Sequence, residues 1–106
     1  MAKLYVVGIG PGSREHMTFR AVEVIKKSQV IVGYTPYIEY LGELVNGKEL
    51  FSTGMRGEIE RCKKAIDLVR KGKDTAIIST GDAGLYGMAG PILELGKDIE
   101  VEIVPG

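Results

Sequence analysis

Five apolar runs alternate with four amphipathic segments along this chain, and that order constrains the fold more than any other feature. Most of the runs are rich in valine and isoleucine, as expected for strands covered on both faces. They lie at residues 4–9, 30–32, 49–51, 74–79 and 99–104. Segments with helical spacing of apolar residues lie between them, at 19–27, 36–45, 58–71 and 86–95. The alternation predicts an α/β fold in three layers, with a five-stranded, mainly parallel sheet flanked by about four helices.

Local signals set the ends of the predicted helices. Thr18 is placed to cap the first helix, and Thr35-Pro36 supplies an N-cap and a first-turn proline for the second. Asn46-Gly47 and Gly72 are typical of the residues that end helices. With 106 residues, the chain is long enough for one domain with a modest core.

The third predicted helix has one apolar face, formed by Ile59, Cys62, Ile66 and Val69. This spacing predicts that Cys62 is a small core residue; a reactive thiol is the alternative. The charged side chains of this helix, Arg61 among them, are predicted to form a solvated face.

Two glycine-rich segments each follow a predicted strand. Residues 8–12 read Gly-Ile-Gly-Pro-Gly, and residues 79–90 carry glycine at every third position from 81 onward. Glycine has no Cβ, so it allows the backbone to approach another group closely. Because parallel strands end at one edge of a sheet, both segments and Gly33-Tyr34 are predicted to meet at one ligand-binding edge. A glycine-rich turn with no ligand is the alternative.

The first glycine segment matches neither of the common nucleotide motifs. The dinucleotide fingerprint needs a third glycine at the position of Ser13, and no acidic residue follows the second strand to bind a ribose. No Gly-Lys-Ser/Thr follows, so the P-loop pattern is also absent. Pro11 removes a backbone donor and stiffens the loop. The segment is therefore better suited to a flat or apolar group than to phosphate.

Charge and composition narrow the possible partners. The 14 basic and 14 acidic residues balance, without the basic excess typical of nucleic-acid binding. No apolar run approaches the ~20 residues of a membrane span, and no secretory signal begins the chain. The single cysteine excludes an internal disulfide and a cysteine-based zinc cluster. We expect a cytoplasmic protein that binds neither nucleic acid nor membrane and holds no metal.

Three motifs at the ends of predicted strands carry a family resemblance. Gly-x-Gly-Pro-Gly at 8–12, Ser-x-Gly-Asp at 79–82 and Val-Pro-Gly at 104–106 resemble the tetrapyrrole methylase family in type and spacing. The resemblance extends over the whole chain. It implies an enzyme that methylates a corrin or porphyrin precursor with S-adenosylmethionine as cofactor.

Two further segments resemble one branch of that family. They are Val32-Gly33-Tyr34 with Tyr37, and residues 81–90, where Ala83 stands at a position that most relatives fill with proline. The branch methylates C-17 of precorrin-3B or cobalt-precorrin-3 in cobalamin biosynthesis. Another branch, such as a different corrin-position methylase or the diphthine-forming enzyme, is one alternative. A non-catalytic binding domain derived from the family is the other.

The resemblance implies a set of cofactor-binding residues: Pro11, Thr80, Gly81, Asp82 and Leu85. Backbone N–H groups there would bind the methionine carboxylate. The Asp82 carboxylate would hold the ammonium group or order the loop; alternatively, it caps a helix that begins near Tyr86.

The resemblance also places substrate and catalytic candidates near the same edge. Arg14 and Arg56 either bind the carboxylates of the substrate in bidentate fashion or are solvated. Tyr34 stands where related uroporphyrinogen methylases carry a carboxylate base. Because the ordinary pKa of tyrosine is roughly 10, Tyr34 is expected to hydrogen-bond or stack on the substrate, or only to pack. His16 is expected to be a solvated side chain.

Family members have two α/β domains with the cofactor between them. By resemblance, residues 1–106 are expected to be the N-terminal domain, with the C-terminal domain outside this chain. The expected partners are then the corrin precursor and a second half, in the same polypeptide or in a separate one. The resemblance further implies a homodimer, and little activity for this chain alone.

Overall fold

One sheet of five parallel strands forms the centre of the molecule. The computed structural model describes residues 2–9 and 17–105, and the description leaves out the side chains of 81–86. The strands are β1 (Lys3–Ile9), β2 (Val30–Tyr34), β3 (Glu49–Thr53), β4 (Thr75–Thr80) and β5 (Glu100–Val104). Their order in the sheet is β3-β2-β4-β1-β5, and every neighbouring pair is parallel. The predicted α/β class and strand number are confirmed.

In the described ranges, four α-helices cover the two faces of the sheet. They are α1 (Phe19–Lys27), α2 (Thr35–Leu41), α3 (Glu58–Arg70) and α4 (Gly81–Leu95). Neighbouring strand residues point to opposite faces, so Val6 and Ile77 pack beneath α3 and α4, while Val7 and Ile78 pack beneath α1 and α2. The core therefore forms two apolar layers, one on each side of the sheet, and the predicted three-layer arrangement is confirmed.

The two predicted N-caps differ in outcome. The Thr18 hydroxyl accepts a hydrogen bond from the amide of Ala21 at 3.1 Å, so this cap is confirmed. Thr35 is instead the first residue of α2, after Tyr34, and its hydroxyl donates to the Thr53 carbonyl at 3.1 Å. The prediction of Thr35 as N-cap was wrong, because Tyr34 holds that position and the Thr35 hydroxyl bonds to β3 instead of accepting from an amide of its own helix.

The α2 segment is also shorter than its apolar pattern predicts. The α-helix ends at Leu41, and a single 3₁₀ turn over Gly42–Val45 continues the segment. Gly42 has a φ of 56°, a value outside the right-handed helical region. Since Ile38, Leu41 and Val45 are all buried, the apolar stripe is kept across the change in helix type.

The buried face of α3 is rotated from the predicted one. Cys62, Ile66 and Val69 are buried, but Ile59 is 50% exposed and Arg61 only 5%. Successive helical residues are rotated by about 100°, so the buried side chains of α3 form one face centred near Val69. Ile59 lies at the edge of that face. The predictions of a buried Ile59 and a solvated Arg61 were therefore wrong.

Cys62 is a fully buried core residue, as its position in the sequence predicted. Burial raises the pKa of its thiol, because the thiolate would lose hydration. We expect Cys62 of the folded chain to react with a disulfide reagent at pH 8 at least ~100-fold more slowly than in denaturant. Absorbance of the released thiolate measures both rates, with the unfolded chain as the control. Fast, complete labelling of the folded chain would contradict the assignment.

Helix α4 begins directly at the end of β4. The sequence predicted a helix from Tyr86, but the helix starts at Gly81, after Thr80. Glycine disfavours helix, and the burial of Met88, Ala89 and Ile92 against the sheet outweighs that preference. Asp82 is thus inside the helix by its backbone position, so the alternative of a cap for a helix near Tyr86 was wrong.

Within residues 2–9 and 17–105, no helix combines the length and the apolar character that a membrane span requires. His, Cys, Asp and Glu side chains in the same ranges form no group of three or more placed to hold a metal ion.

Candidate functional site

The carboxyl ends of the central strands lie side by side. Ile9, the last residue of β1, is the register partner of Thr80, the last residue of β4. On the other side of β1, Val7 is the partner of Val104 near the end of β5. The segments that follow these strands therefore leave the sheet at one edge, which is where open parallel sheets bind ligands.

A cleft of about 360 Å³ opens at this edge, between the ends of β2 and β4 and the beginnings of α3 and α4. Its lining combines aromatic and apolar side chains with hydroxyl and charged groups, the composition typical of small-molecule sites. The described lining residues are Tyr34, Tyr37, Met55, Arg56, Glu58, Arg61, Ile78, Ser79, Thr80, Gly87 and Met88.

Two tyrosines form the aromatic part of the cleft. The rings of Tyr34 and Tyr37 meet edge to face, with centroids 5.1 Å apart and planes at 87°. The Thr80 hydroxyl donates a hydrogen bond to the Tyr37 hydroxyl at 3.0 Å. This bond joins α2 to the end of β4, so the aromatic pair is held against the strand from which the glycine-rich segment departs.

The bond between Thr80 and Tyr37 can be measured with a double-mutant cycle. We expect Tyr37→Phe and Thr80→Val each to lower the free energy of unfolding by about 0.5–1.5 kcal/mol, because each removes one partner of a part-buried hydrogen bond. The double variant should lose about as much free energy of unfolding as either single variant. Urea unfolding of wild type and the three variants measures these free energies. Strictly additive losses would show that the two hydroxyls do not interact.

A tight turn between β3 and α3 forms another side of the cleft. It spans Gly54 to Gly57, and Arg56 within it has a φ of 65°, a value that non-glycine residues seldom adopt. A Cβ at Gly57 would overlap the side chain of Thr53 and lie 3.3 Å from Nη1 of Arg61. Gly57 is therefore needed for the close approach of β3 and α3 at this point.

Arg61 is a lining residue that the sequence analysis missed. Its Nη1 donates hydrogen bonds to the Thr53 hydroxyl and to the Gly54 carbonyl. Its Nε is buried and has no hydrogen-bond partner among the described residues. The signal in the sequence was weak: Arg61 stands beside the apolar Cys62 within a charge-rich helix, a pattern shared by many solvated side chains.

Ser79 is another lining residue for which the sequence predicted no role. It is 4% exposed, and its hydroxyl has no partner among the residues described here. Buried polar groups in native proteins are nearly always hydrogen-bonded, so an unpaired one beside a cleft indicates a partner supplied by a ligand or water. Ser79 and Arg61 both line the same cleft, and each has one buried polar atom without a described partner.

Gly87 borders the cleft on the side of α4. A Cβ at this position would meet nothing within 4 Å, and the same is true of Gly90 one turn further on. Packing among the described residues therefore does not require glycine at either position. Only Gly87 lines the cleft, where the missing side chain leaves room for a ligand.

Three of the predicted site residues come together here. Tyr34, Arg56 and Thr80 line the cleft, and Gly81, Asp82 and Leu85 follow in the first two turns of α4. The side chains of those last residues, and all of Pro11, Arg14 and His16, lie outside the described part of the chain. The roles assigned to the site residues remain predictions.

The chain is similar to known proteins along nearly its whole length. The profile of the family described as Tetrapyrrole (Corrin/Porphyrin) Methylases matches residues 3–106. A probable cobalt-factor III C(17)-methyltransferase of Salmonella typhimurium is 46% identical over 97% of this chain. The cobalt-factor III methyltransferase of Priestia megaterium is 43% identical over 98% of it.

A solved structure matches the fold over the whole chain. The crystal structure of the methyltransferase CobJ covers 100% of this chain with a TM-score of 0.86 and 28% sequence identity. The chain spans less than half of each of these proteins: 44% of the Salmonella relative, 21% of the Priestia relative and 46% of the crystal structure.

Proposed function

The chain belongs to the tetrapyrrole (corrin/porphyrin) methylase family, and on that basis we propose that it forms one half of an S-adenosylmethionine-dependent methyltransferase. The proposed reaction is methylation of C-17 of a cobalt-factor III or precorrin-3-type corrin precursor in cobalamin biosynthesis. This choice of branch follows the names of the curated relatives that are 46% and 43% identical to the chain.

The observation that carries the proposal is the cleft at the carboxyl edge of the sheet. It brings Tyr34, Arg56 and Thr80, which are separated in sequence, to one place beside the start of α4. Aromatic rings and apolar side chains line it together with hydroxyl groups. Such a surface suits ligands that combine flat rings with polar substituents, as a nucleoside and a tetrapyrrole both do.

The residues present fit the proposed methyl donor. The Ser79 hydroxyl and the Arg61 Nε are buried and lack partners among the described residues, so each has a hydrogen bond left to make beside the cleft. When bound, S-adenosylmethionine supplies a methyl group on a positively charged sulfur, already activated for in-line displacement at carbon. The protein then needs chiefly to align two ligands and to exclude water.

The contribution of this chain to such a reaction is positioning. The edge-to-face pair of Tyr34 and Tyr37 offers a rigid aromatic surface, and its bond to Thr80 fixes that surface against β4. Ile78 and Met88 make the interior of the cleft apolar and limit the access of water. Within this proposal, Tyr34 orients the substrate by stacking or hydrogen bonding, and Arg56 meets its carboxylates.

We further propose that the rest of the site lies in a second α/β half. The cleft is open along one side, and the chain matches less than half of each relative reported above. The second half, joined to this chain or separate from it, would close the cleft over the methyl donor. A homodimer in the cytoplasm is the assembly and location that accompany this proposal.

The test has two stages, binding and then catalysis. The 106-residue chain is titrated with S-adenosylhomocysteine by calorimetry, and methyl transfer to a cobalt-factor III acceptor is assayed after co-expression with the second half of the Salmonella relative. We expect binding by the chain alone and methylation at C-17 only with both halves. Absence of binding in both formats would overturn the proposal.

A matched pair of glycine variants locates the binding in the cleft. Gly87→Leu places a side chain in the cleft, whereas Gly90→Leu places the same side chain on the same helix at an exposed position that is not part of the lining. We expect Gly87→Leu to weaken S-adenosylhomocysteine binding at least ~10-fold and Gly90→Leu to leave it unchanged. Equal affinities for the two variants would place the ligand elsewhere.

A further inference from the structure

Arg61 is a buried cation whose electrostatic partner is not found among the described residues. It is 5% exposed, and no described carboxylate lies within 4.0 Å of its guanidinium. By contrast, two basic residues at the C-terminal end of α3 form ion pairs: Arg70 with Asp98 at 2.7 Å, and Lys71 with Asp67 at 3.0 Å. Burying a charge without an opposite charge is costly, so an unpaired buried guanidinium beside a cleft calls for an anionic partner.

The Arg61 guanidinium is hydrogen-bonded through one nitrogen, and its other two nitrogens have no partner among the described residues. Nη1 bonds to the Thr53 hydroxyl and the Gly54 carbonyl, both neutral acceptors. Nε is buried with no partner, and Nη2 makes none of the hydrogen bonds found among the described residues. Nε and Nη2 form a planar fork that matches the two oxygens of a carboxylate.

We propose that Arg61 binds a carboxylate of the ligand in this cleft, with the Ser79 hydroxyl as a second donor. The described lining carries two guanidiniums, those of Arg56 and Arg61, and one carboxylate, that of Glu58, so its formal charge favours an anion. The buried, preorganised Arg61 is the stronger of the two arginine sites, because Arg56 is exposed and its charge is screened by water.

The inference rests on the proposed function, because the two ligands of that function are the two sources of the carboxylate. One source is the amino-acid end of the methyl donor, and the other is an acetate or propionate arm of the macrocycle. Both present the same planar anion to the guanidinium. Ligand pairs that differ in the free carboxylate distinguish the sources.

The experiment compares wild type with Arg61→Gln on two such pairs. S-adenosylhomocysteine and 5′-methylthioadenosine, which lacks the amino-acid group, are titrated by calorimetry. Uroporphyrin and its methyl ester, in the same detergent, are titrated by fluorescence. We expect Arg61→Gln to weaken binding of one carboxylated ligand about 10- to 100-fold and to leave its uncharged counterpart unchanged. Arg70→Gln, which removes an exposed arginine from the same helix, is the matched control and should leave all affinities unchanged.

A second variant keeps the test decisive if Arg61→Gln does not fold, which circular dichroism will show. Thr53→Val retains the shape of the side chain and the Arg61 charge, but removes the hydroxyl that positions the guanidinium. Thr53 is thus a positioning residue. We expect about 3- to 10-fold weaker binding of the same carboxylated ligand, with its dependence on ionic strength retained.

The outcomes separate this inference from the proposed function. If the folded Arg61→Gln and Thr53→Val variants bind both carboxylated ligands as wild type does, the role of Arg61 is overturned, whereas the proposed function stands. If wild type binds uroporphyrin in an Arg61-dependent way but not S-adenosylhomocysteine, the role of Arg61 is supported and the methyl-donor site fails. If wild type binds neither carboxylated ligand, both proposals are overturned.

Discussion

Ile77→Ala is expected to lower the free energy of unfolding by about 2–5 kcal/mol. Ile77 is 0% exposed on the central strand β4, and it is the register partner of Val6 on one side and of Val32 on the other. Removing three carbons there leaves a cavity beneath α3 and α4 that the close-packed sheet cannot fill by collapse. Urea unfolding followed by circular dichroism measures the change.

Ile59→Ala is the matched control, because it makes the same substitution at an exposed position. Ile59 is 50% exposed in the first turn of α3, and alanine has the higher helix propensity. The expected change is within about 0.5 kcal/mol of zero. A loss as large as that of Ile77→Ala would mean that the apolar face of α3 is the one predicted from the sequence, and that the described packing is wrong.

Gly57→Ala is expected to have the second largest effect, on stability and on the cleft together. The added Cβ would overlap the Thr53 hydroxyl and its Cβ, and it would crowd Nη1 of Arg61. Overpacking of this kind costs about 1–3 kcal/mol. Thr53 and Arg61 must move apart to make room for the added Cβ. Binding of the carboxylated ligand should therefore also weaken by roughly 10-fold. Unfolding in urea and the titrations described for Arg61 measure the two effects.

Gly54→Ala provides the control within the same turn. A Cβ at Gly54 would meet nothing within 4 Å, and its φ is not in the left-handed region. Alanine is therefore expected to be neutral or to stabilise by up to about 1 kcal/mol through the lower entropy of the unfolded chain. Equal destabilisation by the two variants would indicate that the turn tolerates no side chain, and that the contact between Thr53 and Arg61 is not the cause.

Local pattern was sufficient to locate most elements of this fold. All five strands were predicted within two residues at each end, because a run of apolar residues flanked by turn residues needs no long-range information. The cap at Thr18 and the burial of Cys62 followed from their neighbours in the same way. Predictions were wrong where local helix propensity competed with packing. At Gly81, helix α4 begins in a glycine-rich segment that by itself disfavours helix.

The candidate site was foreseen in part, for an identifiable reason. Because segments that follow parallel strands meet at one edge, Tyr34 and Thr80 were predicted to lie together, and Arg56 was predicted near the same edge as a substrate-binding candidate. Arg61 was missed because a charged residue on an amphipathic helix is usually solvated, and nothing within its own helix shows otherwise. Its burial depends on Thr53 and Gly54, which precede it by several residues and belong to another element.

The sequence alone determined the alternation of strands and helices, the parallel sheet and the edge that carries the candidate site, because each follows from spacing along the chain. Only the tertiary structure decided that β4 lies between β2 and β1, that Gly81 starts a helix, and that Arg61 is buried beside a cleft with no described carboxylate within 4.0 Å. These features depend on contacts between residues far apart in sequence. The five strands resemble one another too closely for local pattern to select such contacts.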